Sequence, residues 1–314
     1  MCCLFGMIDY AQRLTGTQKS RIVRSLGIAS EARGTDATGV AYNAKGTLHV
    51  YKRPVPAHKL RIYIPESARA VMGHTRMTTQ GSEKRNYNNH PFQARAGGQA
   101  FALAHNGVLN NDLYLRKAKK LRRTNIETDS FVAVQLLEQY GSISFDSLRS
   151  MAEEVEGSFS FTVLDGRDNV YFIKGDNPLC IYHYPGAGLY LYASTEAILL
   201  HALDSLPCQL GTPEQVVLTC GELLRIHTNG EQSRSVFDDS RLFRRYAYFP
   251  YSFMMDPPSK QQSVPVQVSS RQEYIQSLKS VASFYGYPPG CVDELLKDGF
   301  TLDDVEDMLY CGRL

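Results

Sequence analysis

The chain has 314 residues, of which 43% are hydrophobic and 21% charged, with a net charge of +2. Those values exclude a disordered or fibrous chain, and so small a net charge gives no general attraction to nucleic acid. No stretch approaches the roughly 18 uncharged apolar residues of a membrane span. The seven cysteines are odd in number and scattered from Cys2 to Cys311, so they do not read as a disulfide framework. The start, MCCLFGMIDY, lacks a basic n-region and meets Asp9 early. A cytoplasmic location without a signal peptide is expected.

Thr15 to Ala32 reads as a helix, with Thr17 as cap and Ile22, Val23, Leu26 and Ala29 at helical spacing. Gly39 to Ala44 and Thr47 to Lys52 read as a hairpin turning at Lys45-Gly46. Arg69 to Met72 and Ala100 to Ala104 are short apolar runs, each followed directly by polar residues. Thr128 to Tyr140 is patterned as a helix. Ser158 to Leu164, Asn169 to Ile173, Cys180 to Tyr184, Leu189 to Ala193 and Leu223 to Ile226 are strand-like, with a short helix over Glu196 to Leu203. Many short strands with few helices predict stacked, mainly antiparallel sheets covered by helices.

The texture changes after about Thr228. Residues 231–270 carry four of the fourteen prolines and a Tyr/Phe cluster, and read as a linker. Residues 271–314 return to a helical pattern broken at Gly299, a small C-terminal segment that could cap the main domain or dock a partner.

Four places along the main domain could carry chemistry. Cys2 is small enough for Met1 to be removed before it, which would leave a thiol and an α-amino group on one residue. An amine titrating near ~8 can take the thiol proton. Arg76 follows an apolar run, where its guanidinium fork could take a carboxylate bidentately, or be an ordinary surface arginine. Asn106 and Gly107 could supply a pair of oxyanion donors, or simply form an Asn-Gly turn. Thr128 or Asp129 could cap the helix that follows, and Asp129 could instead hold an ammonium.

In order and spacing these segments resemble the glutaminase domain of class II glutamine amidotransferases, the N-terminal nucleophile hydrolases of the glucosamine-6-phosphate synthase and amidophosphoribosyltransferase type. The family pattern M-C-G-I-[FV]-G is met by Met1 to Gly6, and R-G-x-D-[SA]-x-G by Arg33 to Gly39. G-H-[TV]-R-[WY]-[AS]-T falls on Gly73 to Thr79, N-x-H-P on Asn88 to Pro91 and H-N-G on His105 to Gly107. E-T-D-[ST] falls on Glu127 to Ser130, and S-x-x-x-A-[IL] on Ser194 to Ile198. The resemblance covers residues 2 to about 228.

The resemblance implies an α+β fold, a four-layer αββα sandwich of two mainly antiparallel sheets, over residues 2–230. Cys2 would be the nucleophile and Asn106 and Gly107 the oxyanion hole, with Arg33 ordering the N-terminus. Arg76, helped by Thr79, would bind the glutamine carboxylate, and Asp129 the ammonium. Glutamine would pass through a γ-glutamyl thioester to glutamate and ammonia, with no metal or cofactor. The family usually fuses this domain to a synthase. Some 86 residues remain beyond 228, too few for one, so a separate ammonia-accepting synthase is the expected partner.

Cys3 stands in place of the family's glycine, Met77 in place of an aromatic, and Gln80 matches neither branch. Rival readings are hydrolysis of another γ-glutamyl amide, or a protein that senses glutamine without turnover. The run Arg116 to Arg123, with six positive charges in eight residues, reads as a solvated helix face or a docking patch for an acidic partner, ahead of nucleic acid.

Overall fold

The computed structural model describes residues 2–206 and 210–242, residues 290–300, and single positions at 275, 278, 279, 282, 287, 288, 302, 305 and 308. The chain divides into two compact units, Met1–Arg245 and Tyr246–Leu314. Among the described residues no helix is long and apolar enough to cross a membrane.

In the first unit, strands β1 (Cys3–Asp9), β2 (Ala37–Ala44), β3 (Thr47–Arg53), β4 (Ala70–Arg76), β9 (Cys180–Tyr184), β10 (Leu189–Ala193) and β11 (Glu214–Gln215) form one sheet. Its order is β11-β9-β10-β1-β4-β2-β3. The second sheet runs β13-β12-β8-β7-β6-β5, from β5 (Phe92–Ala96), β6 (Gln99–Leu109), β7 (Gly157–Asp165), β8 (Val170–Lys174), β12 (Glu222–Ile226) and β13 (Gln232–Val236). The pairings are antiparallel, with Cys3 opposite Thr75 and Gly107 opposite Phe159.

Period-two alternation builds the layers. From β1, Cys3, Phe5 and Met7 pack against Ile22, Val23 and Leu26 of helix α1 (Gly16–Ala29), where helix α5 (Glu196–Asp204) adds Ile198 and Leu199. Leu4 and Ile8 point the other way and meet Ala102, Ala104, Phe172 and Leu224 of the second sheet. That sheet's far face is covered by helices α2 (Asp112–Ala118), α3 (Phe131–Tyr140) and α4 (Phe145–Glu154) through Leu115, Val132, Leu136, Leu148 and Met151. The result is the four-layer αββα sandwich.

Local details depart from the sequence reading in several places. Thr15, not Thr17, caps α1, in a capping box with Gln18. The expected helix closes as α1 plus a 3-10 turn at Ser30–Ala32. Strand β4 continues through Arg76, and β6 through Asn106 and Gly107 to Leu109, so there is no Asn-Gly turn. Helix α4 and strands β5 and β13 had no counterpart in the sequence reading; β13 lies inside residues 231–270, paired to β12. The Tyr246 to Phe253 aromatics lie outside the described residues. In the second unit Leu278, Ala282, Val292 and Val305 are buried together around a helix at Gly290–Lys297.

Candidate active site

One cleft at the end of the sandwich is lined by Cys2, Arg76, Met77, Thr79, Gln80, His90, His105, Gly107, Thr128, Asp129 and Ser130. Cys2 enters it just ahead of β1, with its Sγ 3.5 Å from the Met77 carbonyl. The block from Arg33 to Asp36 braces this end of the chain. Arg33 lies outside the lining, behind the nucleophile candidate, and its Nε donates to the Cys2 carbonyl at 3.2 Å. A Cβ on Gly34 would stand 2.5 Å from the Arg76 carbonyl carbon, so only glycine permits this approach. The Asp36 carboxylate accepts the Thr78 amide at 2.7 Å. Leu4 N–H is held by the Ser194 hydroxyl at 2.9 Å, which ties the Ser194 to Ile198 block to β1.

Arg76 ends β4 and is 3% exposed. Its guanidinium donates to Asn89 Oδ1 at 2.7 Å and to the carbonyls of Gln80 and Gly81. Asp129 lies on the turn before α3, whose cap position is Ser130 and carries no side-chain cap bond. Capping is therefore not the job of the Asp129 carboxylate. It accepts the Leu109 amide at 2.6 Å and the Ser130 hydroxyl at 3.3 Å. Thr79 is exposed at the mouth.

Asn106 and Gly107 come from β6. Ala102, Ala104 and Asn106 share the face turned to the first sheet. The Asn106 side chain is fully buried, and among the described residues neither its Oδ1 nor its Nδ2 has a hydrogen-bond partner. Gly107 has φ +140°, and a Cβ there would sit 1.9 Å from the Ser158 carbonyl oxygen. No other residue fits.

Burial pushes the Cys2 thiol pKa up; the Arg76 charge opposes the rise and the Asp129 charge adds to it. Three buried histidines stand at the cleft, His90 and His105 in its lining and His74 behind them. His74 Nε2 donates to the His105 carbonyl at 3.0 Å, and burial pushes its pKa down to about 3. His90 packs on His74 with ring centroids 4.3 Å apart, has no hydrogen-bond partner for either ring nitrogen among the described residues, and is held neutral by burial. His105 meets the Ser130 hydroxyl at 2.8 Å, and burial lowers its pKa too, against the pull of Asp129.

The geometry therefore brings Cys2, Arg76, Thr79, Gly107 and Asp129 to one cleft, with Asn106 beneath it and Arg33 behind Cys2. The sequence reading gave no role to His90 or Ser130 and named Thr128 only as a candidate helix cap; the Asn88 to Pro91 motif was the signal that could have found His90. Three charges of the basic run are used within the chain. Arg116 donates to the Thr128 carbonyl, Lys119 pairs with Glu154 at 2.7 Å, and Arg122 lies 4.0 Å from Glu138.

A family model described as a glutamine amidotransferase domain matches residues 74–201. Glutamine--fructose-6-phosphate aminotransferase [isomerizing] of Bacillus cereus is 30% identical over 240 residues, which is 74% of this chain. The chain carries a class II glutamine amidotransferase domain. That alignment spans 38% of the length of the Bacillus cereus protein. Two solved structures share the fold of the amidotransferase domain. Glutamine phosphoribosylpyrophosphate amidotransferase from B. subtilis, complexed with ADP and GMP, matches with a TM-score of 0.60 at 18% identity, over 76% of this chain and 49% of that one. A structure described as the allosteric regulatory enzyme of purine biosynthesis matches with a TM-score of 0.61 at 17% identity, over 90% of this chain and 58% of that one.

Proposed function

We propose that the amidotransferase domain hydrolyses the side-chain amide of glutamine through a Cys2 thioester and passes the ammonia to a separate synthase. The reading rests on one arrangement: a cation, Arg76, and a carboxylate, Asp129, flank Cys2 in a cleft that also holds the Gly107 backbone. An α-amino acid carries the complementary pair of charges, so its carboxylate faces Arg76 and its ammonium Asp129, and its side chain is directed at the thiol.

With Met1 removed, the Cys2 α-amine takes the thiol proton as sulfur attacks the amide carbon. The Gly107 N–H and the Asn106 amide stabilise the resulting oxyanion. The C–N bond breaks as the amine returns the proton to the departing nitrogen, releasing ammonia. Water then attacks the thioester, and sulfur leaves with a proton as glutamate is freed. No metal or cofactor enters these steps.

The test is glutamate release from glutamine by the purified chain, with Cys2→Ala alongside and intact mass reporting on Met1. Turnover lost in Cys2→Ala supports the reading. A γ-glutamyl panel in which glutamine is the poorest substrate replaces it with a different hydrolase. Full retention of Met1 with glutamine binding but no turnover replaces it with a sensor.

A further inference from the structure

Lys52 is a half-buried cation that the steps above do not use. It lies on β3, and its ammonium donates to the Asn89 carbonyl and, at 3.1 Å, to the Pro91 carbonyl. It also sits 5.0 Å from the centre of the Phe92 ring. Among the described residues no carboxylate pairs with it. Carbonyl dipoles and one ring compensate a partly buried ammonium less well than water does, so the charge is held at some cost in stability.

The two carbonyls it grips flank His90, and the first belongs to Asn89, whose Oδ1 orients the Arg76 guanidinium at 2.7 Å. The Lys52 carbonyl in turn accepts the Asn86 amide at 3.0 Å, and Asn86 Oδ1 meets Asn89 Nδ2 at 3.3 Å. One side chain thus fastens the turn that aims Arg76, and lays a second positive charge behind it. We infer that Lys52 is a positioning residue for the carboxylate end of the cleft, selecting ligands that carry an α-carboxylate. This rests on the glutamine reading above.

The surroundings agree in sign. Burial, then the repulsion of Arg76, brings the Lys52 pKa down to about 8. The groups packed around it are Arg76 and the histidines His74 and His90, both held neutral by burial. An arriving carboxylate is the anion this corner lacks, and it would draw the lysine back toward full protonation. Above about pH 8 the charge is lost and the corner weakens.

The test uses the full chain with Lys52→Gln, which keeps a donor for the carbonyls but no charge, and Lys52→Arg, which keeps the charge. Glutamine kinetics are followed from pH 6 to 9.5, with binding of glutamine and of its α-carboxamide to the Cys2→Ala background. Lys52→Gln should raise KM for glutamine roughly tenfold or more, with kcat within about threefold. Lys52→Arg should restore most of the affinity and flatten the rise in KM above pH 8. The carboxamide should bind the parent and Lys52→Gln alike. An unchanged KM in Lys52→Gln, or equal weakening of glutamine and carboxamide, overturns the inference. Failure of the parent itself to bind or turn over glutamine overturns the activity reading, and this one with it.

Discussion

Asn106→Ala separates stability from chemistry at one position. The Asn106 amide is fully buried, with neither polar atom bonded to any of the described residues. Each unsatisfied buried group costs roughly 1–3 kcal/mol, and alanine removes both. The small cavity left behind, at ~24 cal/mol per Å³ over about 30 Å³, takes back under about 1 kcal/mol. Ordered water bonding the amide would satisfy part of that demand and hold the gain at the low end. The variant should therefore be more stable by roughly 1–3 kcal/mol, which in a domain of this size raises Tm by a few degrees, about 2–4 °C per kcal/mol. Glutamine turnover should fall by about 10²–10³, the usual loss for one oxyanion donor. Urea titration and glutamate release on the same preparations measure the two. A variant destabilised by more than about 1 kcal/mol that keeps its kcat would refute both the burial arithmetic and the oxyanion role.

Three further outcomes follow from the packing. Gly107→Ala drives a methyl to 1.9 Å from the Ser158 carbonyl at a φ of +140°, so β6 and β7 must part; a loss of roughly 3 kcal/mol or more is expected, and a parent-like urea midpoint would contradict it. Lys19→Met strips the partner from Asp9, 3.1 Å away with both side chains fully buried, and should cost roughly 3–5 kcal/mol; the double variant with Asp9→Asn should recover part, as measured by thermal melts. His74 titrates near 3 when folded and near ~6.5 when unfolded, so its contribution is complete above about pH 6.5 and is lost as pH falls toward 3. His74→Gln should therefore lose stability less steeply than the parent between pH 6.5 and 4, and identical slopes of urea midpoint against pH would reject the account.

The sequence was most legible where burial and apolarity coincide. Cys180–Tyr184 and Leu189–Ala193 are apolar runs bounded by turn residues, and the strands found there have the expected limits. Legibility fell where the interior is polar. The apolar run that marks β4 ends at Met72 because polar residues follow it, yet His74, Thr75 and Arg76 continue the strand and are buried, at 1%, 0% and 3% exposure. The same misreading cut β6 short at Ala104, since His105 and Asn106 are polar and buried. Helix α4 escaped notice because only Leu148, Met151 and Ala152 mark its buried face, and its capping box is the unusual pair Ser144 and Ser147. The cleft residues were found through spaced motifs, because nothing in local propensity distinguishes Asp129 from a helix cap.

Once both strands are extended, a single rule connects the motifs. Alternation sends Cys3, Phe5 and Met7 toward α1, so the side chain that replaces the family's glycine leaves the cleft untouched; Cys3 Sγ rests 3.3 Å from Ser30 Oγ in the helix layer. The opposite set, beginning with Leu4, faces the second sheet, where Ala102, Ala104 and Asn106 look back. One residue earlier than β1, Cys2 opens onto that same gap. One residue earlier than Asn106, His105 turns away from it to meet Ser130 beside Asp129. A one-residue slip of β1 against β4, whose register sets Cys3 opposite Thr75, would exchange Cys2 for Cys3 in the gap. The buried Leu4 N–H to Ser194 bond and the Arg33 bond to the Cys2 carbonyl oppose that slip, which gives two residues outside the cleft lining a direct hold on the position of the thiol.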